Sequence, residues 1–290
     1  MSHTIDISFL DQPEFLHKIF PLAFNFAMNE MPQADARNAD AYFIEVDKQV
    51  RVCSRYYVAN SRFPTVFFFH GNGETIFDQG LLSSHFNDMG VNLFVTDYRG
   101  YGISDGSPTL TNLVQDCHVI FDYLKGIIKK ENYCPEIFVM GRSLGSIPAL
   151  ELAYHYQKEL RGLIIESGSA QNFKSVWNKT NPEDVRKLDG KKFYNKEKIT
   201  EVHIPTLIIH GELDRLIPVQ IGQALYDLCA ASEKKLVIIK GGGHGDLPDV
   251  GYTQYYAAIE EFVKRKSQRS KRKDSSTQST DKRSAKKNRD

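Results

Sequence analysis

Short, continuous apolar runs recur along the chain and alternate with amphipathic stretches. The runs VFFF, IFVM, LIIE, TLIIH and LVII carry no polar alternation. Strands buried on both faces read this way, as in a parallel sheet covered by helices. The pattern predicts strands at Tyr42–Val46, Val50–Val58, Thr65–His70, Leu93–Asp97, Ile137–Gly141, Gly162–Glu166, Thr206–His210 and Lys235–Ile239. Helical stretches fall near 75–89, 109–130, 143–158, 218–231 and 250–265. Such alternation implies right-handed crossovers and an open α/β sheet. Only the short turn Asp47–Gln49 joins the first two strands, which therefore pair antiparallel.

Three segments break the rhythm. Residues 1–40 form a helical prelude and connector. Phe15, Leu16, Ile19, Phe20, Phe24 and Met28 partly follow helical spacing, which fits a helix packed on the body or, alternatively, a membrane-surface anchor. The α/β body spans 41–265 and carries an insertion, 168–200, read as a small helical cap containing Phe173, Trp177, Phe193 and Tyr194. Residues 266–290 are highly polar, with no aromatic or branched aliphatic side chain, and are expected to form a disordered basic tail.

The 41% hydrophobic and 25% charged composition is that of an ordinary globular protein. The fullest apolar run, Phe15–Met28, is shorter than the roughly 18 residues of a membrane helix. The net charge of +1 conceals an asymmetry: from Lys264 to Asp290 there are twelve Lys/Arg and three Asp, so the rest of the chain carries −8. An acidic body argues against nucleic-acid binding by the fold. The basic tail instead suggests peripheral contact with an anionic membrane, with a merely solubilising tail or a nuclear-import patch as competing readings. Cys53, Cys117, Cys134 and Cys229 are widely spaced, and the N-terminus shows no secretory signal. The expectation is a cytoplasmic protein with reduced thiols.

In open α/β sheets, chemistry gathers beyond the carboxyl ends of the strands. Four such loops fit one mechanism. Gly141-Arg142-Ser143-Leu144-Gly145 follows IFVM and precedes a helix, the context of a G-x-S-x-G nucleophile elbow. His70-Gly71-Asn72-Gly73 follows VFFF and offers the Asn72 amide, with that of Leu144, as an oxyanion hole. His70 itself reads as a structural histidine. Asp214, past the strand TLIIH, is the candidate acid, with Glu212 as its rival. His244, in KGGGHGDLPD, is the only histidine on a loop beyond the last strand and is the candidate base. The order Ser143, Asp214, His244 is nucleophile, acid, base. The sequence Gly100-Tyr101-Gly102 mimics half of a dinucleotide loop, but Asp105 stands at the third glycine position and would repel a pyrophosphate. No phosphate-binding loop or zinc-ligand spacing occurs, so no metal or cofactor is expected.

These features resemble the α/β-hydrolase superfamily over about residues 40–265. Asp97-Tyr98-Arg99-Gly100-Tyr101-Gly102-Ile103-Ser104 is similar to the superfamily's turn after the fourth strand. GRSLGSIPALELA and IPTLIIHGELDRLIPV resemble a small-cap subgroup of acyl-protein thioesterase-like, abhydrolase-domain proteins. The resemblance implies an α/β-hydrolase fold: a mostly parallel eight-stranded sheet, second strand antiparallel, with helices on both faces and a small cap. It implies catalysis by Ser143, His244 and Asp214, with the Asn72 and Leu144 amides holding the oxyanion. The activity implied is that of a serine esterase or thioesterase acting on a small-molecule or lipid-acyl substrate, with Phe173, Trp177, Phe193 and Tyr194 as candidate acyl-pocket residues. A serine peptidase with the same triad and a non-catalytic binding module are the alternatives. Oligomeric state is not legible from the sequence.

Overall fold

A computed structural model describes residues 7–20, 39–170 and 193–265. Eight strands form one sheet: β1 (Ala39–Asp47), β2 (Val50–Tyr57), β3 (Thr65–Phe69), β4 (Asn92–Thr96), β5 (Ile137–Arg142), β6 (Leu160–Glu166), β7 (Thr206–Gly211) and β8 (Lys234–Ile239). Their order is β1-β2-β4-β3-β5-β6-β7-β8. β2 runs antiparallel to both β1 and β4, and the remaining pairs are parallel. The eight strands coincide with the predicted runs to within a few residues.

The continuous runs are apolar on both faces because both faces are covered. Along β3, Phe67 and Phe69 point into one core, while Val66 and Phe68 point into the other. The first core is roofed by α3 (Leu110–Lys130) and α4 (Ser146–His155). In α3, Leu110, Leu113, Val114, Cys117, Ile120, Phe121, Leu124, Ile127 and Ile128 are buried at three- and four-residue spacing. The second core lies under α2 (Gly80–Asp88) and a final helix over 252–265, which contributes Tyr255, Ile259 and Phe262. The final helix runs toward the amino ends of β7 and β8. Its Ala258, Phe262 and Arg265 line a depression with Thr206 and Lys234, the first residues of β7 and β8. The chain past 265 is thus attached at the sheet edge opposite the carboxyl ends.

Residues 7–20 pack on the body, while 1–6 and 21–38, with Phe24 and Met28, lie outside the described residues. Helix α1 (Pro13–Ile19) buries Phe15, Leu16 and Ile19, and Phe20 follows them into the first core. Its apolar side faces protein, so for residues 7–20 the packed-helix reading holds rather than the membrane-surface one. Between β6 and β7, residues 171–192 lie outside the described residues, and with them Phe173, Trp177 and most of the expected cap. The chain re-enters with Phe193 and Tyr194, then a short helix, α5 (Asn195–Ile199), packed on α4. Phe193 and Tyr194 are 1% and 0% exposed and belong to the first core. The tail, 266–290, also lies outside the described residues. No disulfide joins the four cysteines, all of which are among the described residues.

Candidate active site

The elbow after β5 is set by backbone proximity. A Cβ on Gly141 would lie 2.2 Å from the Gly145 carbonyl oxygen, and one on Gly145 would lie 2.1 Å from that of Phe69. Only glycine fits either place. Between them Ser143 adopts φ 51°, a left-handed conformation that L residues seldom hold. A 3₁₀ turn, Ser143–Gly145, leads into α4, and the Ser146 hydroxyl donates to the Ser143 carbonyl at 2.6 Å. The serine therefore stands at a helix N-terminus, where developing negative charge is favoured.

His244 reaches this serine from the far end of the chain. Its Nε2 lies 2.8 Å from Ser143 Oγ, and its Nδ1 lies 2.8 Å from Asp214 Oδ2. Asp214 Oδ1 accepts the amides of Leu216 at 2.9 Å and Ile217 at 2.8 Å, which fixes the carboxylate. With Nδ1–H donating to that carboxylate, Nε2 is left to accept the serine proton. Sequence left Glu212 as a rival acid, but its Oε2 accepts the Gly241 amide at 3.0 Å instead. It braces the loop that carries His244. The same loop is stitched to the acid: Leu213 N–H donates to the Gly242 carbonyl at 2.8 Å, and a Cβ on Gly211 would lie 2.2 Å from the Gly243 oxygen. Asp246 accepts the Gly243 amide at 2.6 Å.

His210 closes the strand predicted over Thr206–His210. Its Nε2 donates to the Ile217 carbonyl at 2.7 Å and lies 3.3 Å from Asp214 Oδ2. Burial lowers its pKa below the ordinary value, despite the nearby Ile217 carbonyl and Asp214 carboxylate.

The loop after β3 abuts the elbow, since Gly145 packs on the Phe69 and His70 carbonyls. His70 is fully buried, with Nδ1 2.9 Å from the Gly71 carbonyl and Nε2 3.1 Å from Asp97 Oδ1. Burial works to lower its pKa, but the Asp97 carboxylate outweighs that and the net shift is upward. Both ring nitrogens face oxygen atoms, the Gly71 carbonyl and the Asp97 carboxyl group. Tyr98 donates to the His70 carbonyl at 2.6 Å. His70 is therefore the structural brace the sequence suggested, and Asn72, two residues on, is exposed at the loop's tip.

Arg142, the unspecified position of the G-x-S-x-G pattern, ties this loop to the elbow. Its Nε donates to Glu166 Oε1 at 2.9 Å, and its Nη1 donates to both oxygens of Glu74 at 3.2 and 3.1 Å. Tyr255 donates to the other Glu166 oxygen at 2.7 Å. Burial alone would raise the Glu74 pKa, yet Arg142 and His70 together hold it below the usual carboxylate range.

Among the described residues, His118, Glu151 and His155 bring ligand atoms within 4.8 Å of one another. The buried Lys198 ammonium already lies against Glu151, and both imidazoles turn Nε2 toward the same carboxylate. The cluster neutralises a buried lysine, and that positive charge opposes a second cation. It is also far along α4 from Ser143, two turns past the helix start.

The comparisons with known proteins agree with this architecture. The profile of the serine aminopeptidase S33 family (Hydrolase_4) matches residues 61–182. The chain is 32% identical over 205 residues to human alpha/beta hydrolase domain-containing protein 17B, covering 69% of this chain and 66% of that protein. It is 31% identical over 204 residues to the Xenopus tropicalis protein 17C, covering 69% and 61%. The chain thus spans under two thirds of the length of these relatives. Among solved structures, an esterase from Pyrococcus furiosus, Pf2001, superposes with a TM-score of 0.67 at 18% identity, covering 83% of this chain and 97% of that one. Est1E from Butyrivibrio proteoclasticus, with ferulic acid bound, superposes with a TM-score of 0.65 at 19% identity, covering 78% and 99%. At these identities the structural likeness concerns the fold.

Proposed function

The chain belongs to the α/β-hydrolase superfamily, and from that premise we propose that it is a serine hydrolase that cleaves an acyl ester or thioester through an acyl-enzyme. The observation that carries the reading is His244, which joins Ser143 and Asp214 at 2.8 Å on either side. The three residues come from three separate loops, 101 and 30 positions from the histidine, so no local structural need accounts for the alignment.

In this reading His244 Nε2 takes the Ser143 proton as Oγ bonds to the acyl carbon. The carbonyl π electrons move onto oxygen, and the Asn72 and Leu144 amides hold the resulting oxyanion. Asp214 stabilises the imidazolium through Nδ1–H. The tetrahedral intermediate collapses, the bond to the leaving group breaks, and His244 gives that group its proton. Water then attacks the acyl-enzyme with His244 again as base, freeing Ser143 and the acid. None of these steps calls on a metal or cofactor.

An acyl substrate is supported by the triad chemistry, and the esterase folds among the structural neighbours are consistent with it. The serine aminopeptidase profile over 61–182 favours a second reading, peptide cleavage by the same residues. A panel of p-nitrophenyl esters, acyl thioesters and aminoacyl p-nitroanilides separates them. Wild type should turn over esters and thioesters, and Ser143→Ala should lose roughly 10⁴-fold or more. Anilides as the only substrates would move the assignment to a peptidase. Full activity in Ser143→Ala would remove it altogether.

The basic segment 266–290 is proposed as a contact for anionic lipid surfaces. Among the described residues no helix is long and apolar enough to cross a membrane. Vesicles containing phosphatidylserine should sediment the full chain at low salt and not a 1–265 truncation; equal sedimentation would exclude the tail as the contact.

A further inference from the structure

The N-terminal segment touches the catalytic machinery at one point. Asn72 is an exposed residue, yet both ends of its side-chain amide are engaged by protein. Its Nδ2 donates to the Ile19 carbonyl at 2.5 Å, and its Oδ1 accepts from the Tyr101 hydroxyl at 2.6 Å. Neither partner is free to shift. Ile19 and Phe20 are 2% and 0% exposed, and the Phe20 ring meets Tyr101 edge-on, with centroids 6.5 Å apart. Tyr101 is itself buried and packed edge-on against Tyr98, which bonds the His70 carbonyl. Upstream, Asp11 Oδ1 accepts the amides of Leu110 and Thr111 at 2.9 and 3.4 Å, so the segment also caps the start of α3, 99 residues later in the chain.

We propose that residues 7–20 form a strap whose Ile19 carbonyl, with the Tyr101 hydroxyl, positions Asn72 so that its backbone amide points into the oxyanion hole. This rests on the serine hydrolase reading and deepens it. The argument is geometric. The loop His70–Glu74 follows a strand end and has two glycines, Gly71 and Gly73, the second at φ 97°. A loop of that composition has wide backbone freedom. An oxyanion donor gains its effect only when held in place before the charge develops. The Arg142–Glu74 pair fixes the loop's far end and His70 its near end. The Asn72 side chain fixes the residue between them, and the group it grips lies in a segment upstream of residues 61–182, where the family profile matches. Ile19 and Tyr101 are positioning residues: each acts through the Asn72 side chain, and the chemistry uses only the Asn72 backbone amide.

The test uses the full chain and three substitutions, Asn72→Ala, Asn72→Asp and Tyr101→Phe. The readouts are kcat and KM on a p-nitrophenyl ester, the melting temperature, and inhibition by a trifluoromethyl ketone, which adds to the serine and places an oxyanion in the hole. All three variants keep the backbone amide. Asn72→Ala should lower kcat about tenfold to a hundredfold with KM within about twofold of wild type, and weaken the ketone in proportion to kcat/KM. Asn72→Asp sets an oxygen against the Ile19 carbonyl and should lose at least as much. Tyr101→Phe removes one neutral hydrogen bond and should lose about fivefold. Because Asn72 is exposed, its variants should melt close to wild type, which separates a positioning effect from a folding one. Wild-type kcat and ketone affinity in Asn72→Ala or Asn72→Asp would overturn the strap. So would a rise in KM alone, which would mean that the side chain touches substrate. Absence of turnover in wild type, or its persistence in Ser143→Ala, would instead count against the hydrolase reading itself.

Discussion

The two halves of the site are held together by different means. On one side, close backbone approach shapes the elbow and joins the loops carrying Asp214 and His244. Gly141 admits the Gly145 carbonyl, and Gly211 admits those of Gly242 and Gly243, while Gly145 on the Phe69 carbonyl is the one backbone contact of this kind toward the Asn72 loop. On the other side, the loop carrying Asn72 is held mainly by side chains: His70 on Asp97, Glu74 on Arg142, and Asn72 on Ile19 and Tyr101. The difference teaches where each half is written. Close backbone approach demands glycine at fixed places, which leaves a local motif. Side-chain ties can join residues at any separation and leave none.

That contrast predicts graded damage. The largest effect should come from the acid. Asp214→Asn should cost about 10³- to 10⁴-fold in kcat/KM, because the amide favours the wrong His244 tautomer. Glu212→Gln, which keeps an acceptor for the Gly241 amide, should cost less than tenfold. The reverse order would mean that the acid has been misassigned and would dissolve the backbone-held half. Steady-state kinetics on an activated ester reads both.

Arg142→Met tests the side-chain half. It leaves Glu166, 0% exposed, with Tyr255 as its remaining side-chain donor, and Glu74 without its cation. Removing one member of a buried ionic cluster typically costs about 3–5 kcal/mol. Urea denaturation should show a loss of that order, accompanied by loss of activity. A variant as stable as wild type would show that the two halves are not coupled through this arginine.

The smallest effect concerns His70. Its folded pKa lies above the unfolded value, so its contribution to stability is fully present below about pH 6.5 and declines as pH rises through the folded pKa. His70→Gln removes the proton and with it this term. The stability difference between wild type and His70→Gln should therefore shrink between pH 6 and pH 9. A constant difference across that range would mean that the ring is neutral and that the loop is braced by shape alone.

Legibility followed the same division. The inner strands were visible because burial on both faces leaves uninterrupted apolar runs, as in Phe67–Phe69 between two cores, whereas β1 and β2 showed as a pair joined by the short turn Asp47–Gln49. Ser143, Asp214 and His244 were visible because each sits in a glycine-marked or strand-end loop. Helix boundaries were coarser: the stretch 75–89 breaks into a 3₁₀ turn, Ile76–Gln79, and α2, and the stretch from 250 is interrupted at Gly251. The contacts that sequence missed span long separations. Ile19 and Asn72 are 53 residues apart, Arg142 and Glu74 68, and Glu166 and Tyr255 89. No periodicity registers such pairs. Arg142 did stand inside the elbow motif, and a charged residue at a position flanked by buried backbone was a usable signal for a buried partner. His210 gave less: its place at the end of β7 fits a structural histidine equally well, and only the fold shows it beside Asp214.

The central claim is that His244 and Asp214 activate Ser143. Labelling with a fluorophosphonate, followed by peptide mapping, addresses it without knowledge of the substrate. Wild type should carry one phosphonyl group on Ser143, His244→Ala should label far more slowly, and Ser143→Ala should not label. A folded wild type that stays unlabelled, or a label that maps to another serine, would contradict the account.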